Sequence, residues 1–345
     1  MKLYYPKDHY NSAFRGQLFP LLKAFVKNKG FTDAQRLDMY GVSEEDYCFV
    51  DKISLAEVVI LPMSWNYYET NQLKKLAKEL ILQAANYNLE VWSWNSGDYG
   101  VKTPFLPNLK VFRMSGYLSN HQEGHCGVPV FINDYFKKQQ ITMLSYPYTQ
   151  KPIVGFCGQA NYSKIYAIKE VFKITLRNLR SFLNLSYFEK QAIFSSTQLR
   201  ASLLQILSKS KGITPNFIIR KSYRAGATTK KDRERTTKEF YDNIKHSQYV
   251  LCVRGAGNFS VRFYETLMMG RIPVYLHTDG FLPLQDKINW KKHVVWVDYE
   301  DRDQIDKVVV EFHQKLNEKS MTALQISNRK LWEEKLTLNG FFSSI

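Results

Sequence analysis

Residues 249–276 read Tyr249-Val-Leu-Cys-Val-Arg254-Gly255-Ala-Gly257-Asn-Phe-Ser260-Val-Arg262-Phe-Tyr-Glu265-Thr-Leu-Met-Met-Gly270-Arg-Ile-Pro273-Val-Tyr-Leu276. Tyr249–Val253 is an apolar run of strand length. A glycine-bearing turn follows, then a helical pattern over Ser260–Met269 that stops at Gly270, then a second apolar strand at Ile272–Leu276. Strand, turn, helix and strand in that order describe a parallel α/β unit. The chemistry of the turn suits a nucleoside diphosphate. A helix N-terminus presents unpaired N–H groups and the positive end of the dipole. Gly255 and Gly257 offer backbone without a Cβ. Arg254 and Arg262 can fork onto phosphate oxygens. Ser260 can cap the helix or donate to a phosphate. Glu265, three residues after Arg262, shares its helix face and suits a ribose diol. The stretch is neither the dinucleotide fingerprint, whose third glycine is missing, nor a P-loop, since no Gly-Lys-Ser/Thr follows.

The same alternation extends outward. In the first half, Phe19–Lys29 reads as a short amphipathic helix ending at Gly30. Ala56–Leu61 is a buried strand stopped by Pro62, Gln72–Tyr87 a helix, and Leu89–Trp94 and Leu109–Met114 two more strands. Ser145–Pro152, with two prolines, is a linker. The second half restarts with a strand at Ile153–Phe156 and a long helical region, Ile165–Ser208. Then come a strand at Asn216–Arg220, a helix at Thr236–His246, a strand at Val294–Val297 and a helix at Asp303–Lys319. Two α/β halves joined near residue 150 fit a chain of 345 residues, which is too long for one comfortable core. Ligands of such sheets sit at the carboxyl ends of the strands, and in a two-domain chain in the cleft between the halves.

Net charge is +16 and aromatic residues make up 14%. That balance favours an anionic partner. It is concentrated between Lys209 and Lys238, where ten Lys/Arg face only Asp232 and Glu234. A solvated loop, a phosphate-handling loop and a membrane-facing loop all fit this run. Arg220 and Arg224, just after a strand, are its best-placed members. A nucleic-acid binder would need basic residues interleaved with aromatics on a recognised module, and none is visible. Cys48, Cys126, Cys157 and Cys252 form no Cys-x-x-Cys pair, which argues against zinc and redox motifs. Free thiols in a reducing compartment are expected. Met1–Arg15 is polar and aromatic, unlike a secretory signal, and no apolar run is long enough to span a bilayer.

The stretch from Phe240 to Trp296 resembles the C-terminal signature of exostosin-like glycosyltransferases, carbohydrate-active family 47. The matching positions are Ser247, Arg254-Gly255, Ser260-Val-Arg262-Phe-Tyr-Glu265, Gly270, Ile272-Pro273-Val274, Leu282-Pro283-Leu284 and Ile288-Asn-Trp290. The first half is similar more weakly, through Ala56–Pro62 and Gly97-Asp98-Tyr99-Gly100; the latter falls where members often carry Gly-Arg-Asp-His. Lys151-Pro-Ile-Val-Gly155-Phe-Cys-Gly158 resembles the strand that opens the second domain.

The resemblance implies a GT-B fold, two Rossmann-like α/β domains facing each other across a cleft. Residues 1–150 would bind the acceptor and residues 151–325 the nucleotide-sugar. Residues 326–345 would be a helix or tail packing back on the first domain. It also implies a metal-independent, inverting hexosyltransferase with no cofactor beyond its donor, a UDP-sugar or alternatively a GDP-sugar. The acceptor would be an oligosaccharide or lipid-linked glycan in polysaccharide or lipopolysaccharide synthesis. The place would be the cytoplasm, with peripheral contact at the inner membrane face and no nucleic-acid partner. Donor residues on this reading are Arg220, Arg254, Gly255, Gly257, Ser260, Arg262 and Glu265, with Arg262 stabilising the leaving diphosphate. Asp301-Arg-Asp303 has the spacing of a metal-binding pair but reads as a solvated turn. An inverting transfer needs a base for the acceptor hydroxyl. Asp98, exposed between Gly97 and Gly100 after a strand, is preferred over His121, Glu123, His125 and Asp134. His121 and His125 could also be read as a metal pair. A non-catalytic carbohydrate- or polyanion-binding protein is the alternative class.

Overall fold

The computed structural model describes residues 1–26 and 30–345. The first domain is a six-stranded parallel sheet: β1 (Lys2–Tyr4), β2 (Cys48–Phe49), β3 (Val58–Ile60), β4 (Glu90–Asn95), β5 (Leu109–Arg113) and β6 (His125–Gly127), in the order β2-β1-β3-β4-β5-β6. The second is a five-stranded parallel sheet: β7 (Ile153–Gln159), β8 (Thr214–Arg220), β9 (Tyr249–Cys252), β10 (Ile272–His277) and β11 (Val295–Asp298), in the order β11-β10-β9-β7-β8. Two parallel-sheet α/β domains of this kind make a GT-B fold. In the second sheet the chain moves from β7 outward to β8, then returns to the other side of β7 as β9. The crevice between β7 and β9 is therefore the point where strand order reverses, and ligands of open α/β sheets bind there.

Parallel strands covered on both faces need continuous apolar sequence, and β9 and β10 supply it: Tyr249 to Cys252 and Ile272 to Leu276 are all buried. One core lies between the second sheet and the helices Ser196–Lys209 and Ile305–Gln314. The other joins the first sheet to the helix Val261–Met268 and to the end of the chain. The short helix Leu338–Phe342 drives Phe341 and Phe342 into the first domain. Phe342 lies 5.5 Å from the rings of Phe19, Trp92 and Phe112. Side-chain caps fix several helix starts. Ser163 caps Lys164–Phe182, Ser195 caps Ser196–Lys209, and Asn317 forms a capping box at Glu318–Leu331.

Several expectations change. Phe19–Lys29 is not a helix over its described part: the apolar residues form a 3-10 turn, Leu21–Ala24, and residues 27–29 lie outside the described residues. Pro20 and the tight burial of Leu21, Leu22 and Ala24 favour the turn. The expected long helix over Ile165–Ser208 is two helices, Lys164–Phe182 and Ser196–Lys209, separated by a segment that reaches back to the first domain. Asp303–Lys319 is a 3-10 turn, Tyr299–Gln304, followed by Ile305–Gln314, and the helix Glu318–Leu331 runs across the expected boundary between residues 325 and 326. All four cysteines are free; Cys157 and Cys252 are buried, and Cys48 is exposed at the edge strand β2. No helix among the described residues is long and apolar enough to cross a membrane.

Candidate functional site

The carboxyl ends of β7, β8 and β9 gather four arginines. Arg262 enters from the first turn of the helix Val261–Met268 and lies across the switch point. Its Nη2 donates to the Cys157 carbonyl of β7 at 3.0 Å and its Nη1 to the Leu251 carbonyl of β9 at 3.5 Å. The guanidinium stacks over Phe156, 4.4 Å from the ring centre. Gly158 leaves it room, since a Cβ there would press on Nη2. Arg254, at the start of the turn, is buried and lies 5.1 Å from the Phe194 ring. Its Nη1 donates to the Tyr117 hydroxyl of the first domain at 2.9 Å. Arg200 rises from the helix Ser196–Lys209 and donates to the Arg254 carbonyl at 2.6 Å and the Gln159 carbonyl at 3.3 Å. Arg220 closes the group at the end of β8.

These cations share very little negative charge. Arg220 pairs with Glu239 at 3.0 Å and also donates to the Thr236 carbonyl. Arg200 senses Glu170, but that carboxylate accepts from Ser195 and Thr197. Arg254 and Arg262 form no ion pair among the described residues. The Nε atoms of all four are buried without an acceptor among the described residues. Burial, together with Arg262 and Arg254, pushes the Arg200 pKa down to about 10. Burial and the nearby Arg220 also lower that of Arg262, against an opposing pull from Cys252 and Glu265. Buried like charges destabilise one another, and an anion bound among them would relieve that cost. The N-terminus of Val261–Met268 adds its dipole at the same place.

Glu265 lies one turn behind Arg262. Burial raises its pKa to about 7, opposed by Arg262, by a 3.4 Å hydrogen bond from the Tyr241 hydroxyl, and by Arg224. The free protein thus holds this carboxyl near its midpoint at neutral pH. If the carboxylate accepts ribose hydroxyls, nucleotide affinity rises with pH through about 7 and falls roughly tenfold per unit below it. Calorimetric titration with a nucleoside diphosphate across that range measures this. A terminal phosphate ionises near pH 6 whatever the protein, so the comparison is with Glu265→Gln. A flat difference between the two proteins would reject the role.

The first domain contributes the opposite wall. After β4 the chain turns through Gly97-Asp98-Tyr99-Gly100, and the Asp98 carbonyl packs directly on Gly257. A Cβ at 257 would overlap that oxygen. Neither Gly255 nor Gly257 has positive φ. Gly257 is therefore required by a close approach between domains, not by backbone conformation or by a phosphate, and Gly255 has only Arg200 near its open side, 3.7 Å away. Ser260 occupies the N-cap position but makes no capping hydrogen bond. Asn258 fastens the turn to the first domain, donating its backbone N–H to Ser115 Oγ and its Nδ2 to the Gly116 carbonyl, both at 2.9 Å.

The other candidate bases separate clearly from Asp98. His125 is buried, with Nδ1 2.9 Å from Arg113 Nη1 and Nε2 2.7 Å from the Thr103 hydroxyl. Burial, Arg113 and His121 push its pKa down to about 3, so it is a neutral structural group. Asp134 caps the helix Tyr135–Gln139 and binds Arg329 at 2.5 Å. Glu123 precedes β6, at the rim away from the strand carboxyl ends. His121 is exposed against Phe281, 5.4 Å between rings. Asp98 is exposed on the cleft side. No group of three His, Cys, Asp or Glu that could hold a metal is found among the described residues. Ser247 and Trp290 turn out to be structural: Ser247 donates to the Asn243 carbonyl at 2.8 Å, and buried Trp290 donates to the Pro283 carbonyl and packs on Phe263.

Arg200, Tyr117 and Phe194 escaped the reading of the sequence. Tyr117 and Phe194 carry no local signal. Arg200 carries one: it sits on the stripe of Thr197, Ala201, Leu204 and Leu207, which the helix turns inward. A cation on an apolar stripe asks for a buried anion.

Residues 169–312 match the family model described as the Exostosin GT47 domain. A probable glucuronosyltransferase of Oryza sativa subsp. japonica is 34% identical over 70 residues, which is 20% of this chain and 16% of that protein. Exostosin-1 of Drosophila melanogaster is 30% identical over 116 residues, 33% of this chain and 15% of that one. A probable beta-1,4-xylosyltransferase of Arabidopsis thaliana is 31% identical over 70 residues, 20% of this chain and 17% of that one. The matched stretch thus spans about a sixth of each of these relatives. Among solved structures, a variant of S. aureus TarM in complex with fondaparinux, alpha-GlcNAc-glycerol and UDP aligns over 74% of this chain and 50% of its own, with 8% identity and a TM-score of 0.37. The spinosyn rhamnosyltransferase SpnG with thymidine diphosphate aligns over 100% and 99%, with 9% identity and a TM-score of 0.36. The arginine-bearing turn, the helix after it and most of their supporting shell fall inside the matched region, and over that region the chain is similar to the exostosin-like glycosyltransferases of family 47.

Proposed function

We propose that this chain transfers a sugar from a nucleoside diphosphate sugar, a UDP-sugar in the first instance, to a hydroxyl of a glycan. One observation carries the reading: Arg200, Arg254 and Arg262 converge, with their Nε atoms buried and short of counter-charge, on the switch point of the second sheet and the start of its helix. A diphosphate matches that site in charge and in the number of oxygens the guanidiniums can meet. As the glycosidic bond breaks, charge grows on the leaving diphosphate, and cations already aimed at it stabilise the transition state more than the ground state. These cations and the helix terminus supply the neutralisation that a divalent ion would give elsewhere, so the transfer is read as metal-independent. On this reading Ser260 donates to a phosphate and Glu265 holds the ribose.

Asp98 would accept the proton of the acceptor hydroxyl. Its loop touches the donor turn at Gly257 through the Asp98 backbone carbonyl, which supports a base near the seam where donor and acceptor would meet. A base on the acceptor side, opposite the leaving group, gives single displacement with inversion. The names of the relatives support a uronosyl or xylosyl donor. The four free thiols support a reducing, cytoplasmic setting.

The test is a binding screen of UDP, GDP, CDP and dTDP with Mg²⁺ and with EDTA, followed by transfer assays on the matching sugar nucleotides. Binding of one nucleotide unaffected by EDTA is expected. Asp98→Asn should keep that affinity and lose roughly 10²–10⁴ in transfer rate. Full activity in Asp98→Asn would reject the base. Absence of binding by all four nucleotides would overturn the donor site in favour of a non-catalytic carbohydrate-binding role.

A further inference from the structure

The helix Lys164–Phe182 is amphipathic the wrong way round for a soluble domain. Its inward face is made of Ala167, Glu170, Ile174, Asn178 and Ser181, largely small or polar. Its outward face carries Ile165, Ile168, Phe172, Leu176 and Leu179, spaced by three or four residues and each between 48% and 70% exposed. Leu183 and Leu185 extend the same apolar surface beyond the helix end, where both are exposed. Single exposed apolar residues are ordinary, but a contiguous stripe of this size marks a surface that something covers. Along one edge of the stripe stand exposed Lys169, Lys173 and Arg180, with Lys164 at the start. Lys190 sits 4.7 Å over the Phe182 ring. The only acidic residue of the helix, Glu170, is turned inward onto Ser195 and Thr197. An open groove of about 560 Å³ at the end of the helix adds Lys78 and Lys102, with Lys74 there paired to Glu69 at 3.1 Å.

We infer that this face lies on an anionic lipid bilayer, with the helix in the interfacial plane. Large apolar side chains over the acyl boundary, edged by lysine and arginine at the height of the headgroups, are what such a helix needs. A second copy of the chain fits poorly, because pairing two of these faces would bring their cationic edges together. The surface differs from the basic run at residues 209–238. There the helix Lys230–Lys245 spends much of its charge on its own carboxylates, as in Arg235–Glu239 at 3.1 Å and Lys238–Asp242 at 2.5 Å. The helix begins just after β7, at the rim of the donor crevice, so a chain docked this way would bring its cleft to the membrane surface. Membrane docking does not depend on the proposed transfer and is tested without turnover.

The experiment is co-sedimentation of the full chain with vesicles of phosphatidylcholine, with and without phosphatidylglycerol, at low and high salt. Binding to the anionic vesicles that weakens with salt is expected. Phe172→Ser/Leu176→Ser should weaken it by at least tenfold, since each side chain leaves apolar surroundings. Lys169→Glu/Lys173→Glu should weaken it roughly fivefold per cation removed. Because all four residues are exposed, the unfolding midpoint should stay with the wild type in both variants. The inference falls if wild-type protein ignores anionic vesicles, or if both variants bind them undiminished. It also falls if the chain forms a dimer that Phe172→Ser/Leu176→Ser abolishes, because the face would then belong to a second copy.

Discussion

Arg262→Ala is expected to lose roughly 10²–10³ in transfer rate, the cost of removing one preorganised donor to developing charge. Arg262 bridges both strands of the switch point, through the Cys157 and Leu251 carbonyls. It lies close enough to Glu265 for each to shift the other's pKa. The folded state should tolerate its loss. Alanine removes a buried cation from beside Arg200 and Arg220, and the relief of repulsion offsets the lost carbonyl contacts. The variant therefore separates function from stability: the unfolding midpoint should move little while turnover collapses. Arg262→Lys keeps the charge, but one ammonium on a flexible stem cannot hold both carbonyls and fork onto a phosphate, so its rate should fall between the two. Steady-state kinetics with the sugar nucleotide found in the screen measures all three proteins. Normal turnover in Arg262→Ala would remove the donor crevice from the mechanism.

The sequence made the second domain more legible than the first, for a physical reason. Residues such as Val250, Leu251 and Val274 sit in strands covered on both faces, and such strands announce themselves as unbroken apolar runs. The edge strand β2 and its neighbour β1, of two and three residues, are too short to carry a pattern. The split of the region after β7 was hidden because its outward face is apolar and its inward face is not. Periodicity there signals a helix but misassigns its buried side. In the site, Arg254, Arg262 and Glu265 were legible because one loop and one helix carry them. Arg200 and Tyr117 arrive from elements tens of residues away, and only the fold unites them with that loop. The role of Gly257 was misread for the same reason. Its partner, the Asp98 carbonyl, lies in the other domain.

That seam between domains is also where the largest loss of stability is expected. Arg113, at the end of β5, is buried. Its Nε donates to the Ser115 carbonyl at 2.6 Å, its Nη1 to Glu189 Oε1 at 2.8 Å, and its Nη2 to Glu189 Oε2. Glu189 belongs to the segment between the helices Lys164–Phe182 and Ser196–Lys209, and side-chain exposures of 4% and 16% leave the pair little water. Arg113→Ala strands that carboxylate, a change that costs about 3–5 kcal/mol, a large part of the 5–15 kcal/mol that holds a typical domain together. Replacing both partners, as in Arg113→Met/Glu189→Met, should recover much of this, because no charge is then left buried alone. Denaturant unfolding of the wild type, both single variants and the double variant measures the coupling. A single-variant loss below about 1 kcal/mol would mean that the pair is no more than a surface contact. The pair does more than hold two domains together. The Glu189 N–H donates to the Gly100 carbonyl at 2.9 Å, and the Lys102 N–H to the Tyr187 carbonyl at 2.9 Å. The segment that Arg113 anchors therefore clamps the loop carrying Asp98. Arg113→Ala should accordingly lower the transfer rate at temperatures where it remains folded, while nucleotide affinity, set by arginines of the other domain, stays close to wild type. Weakened nucleotide binding with an unchanged rate would place the clamp on the donor and not on the base.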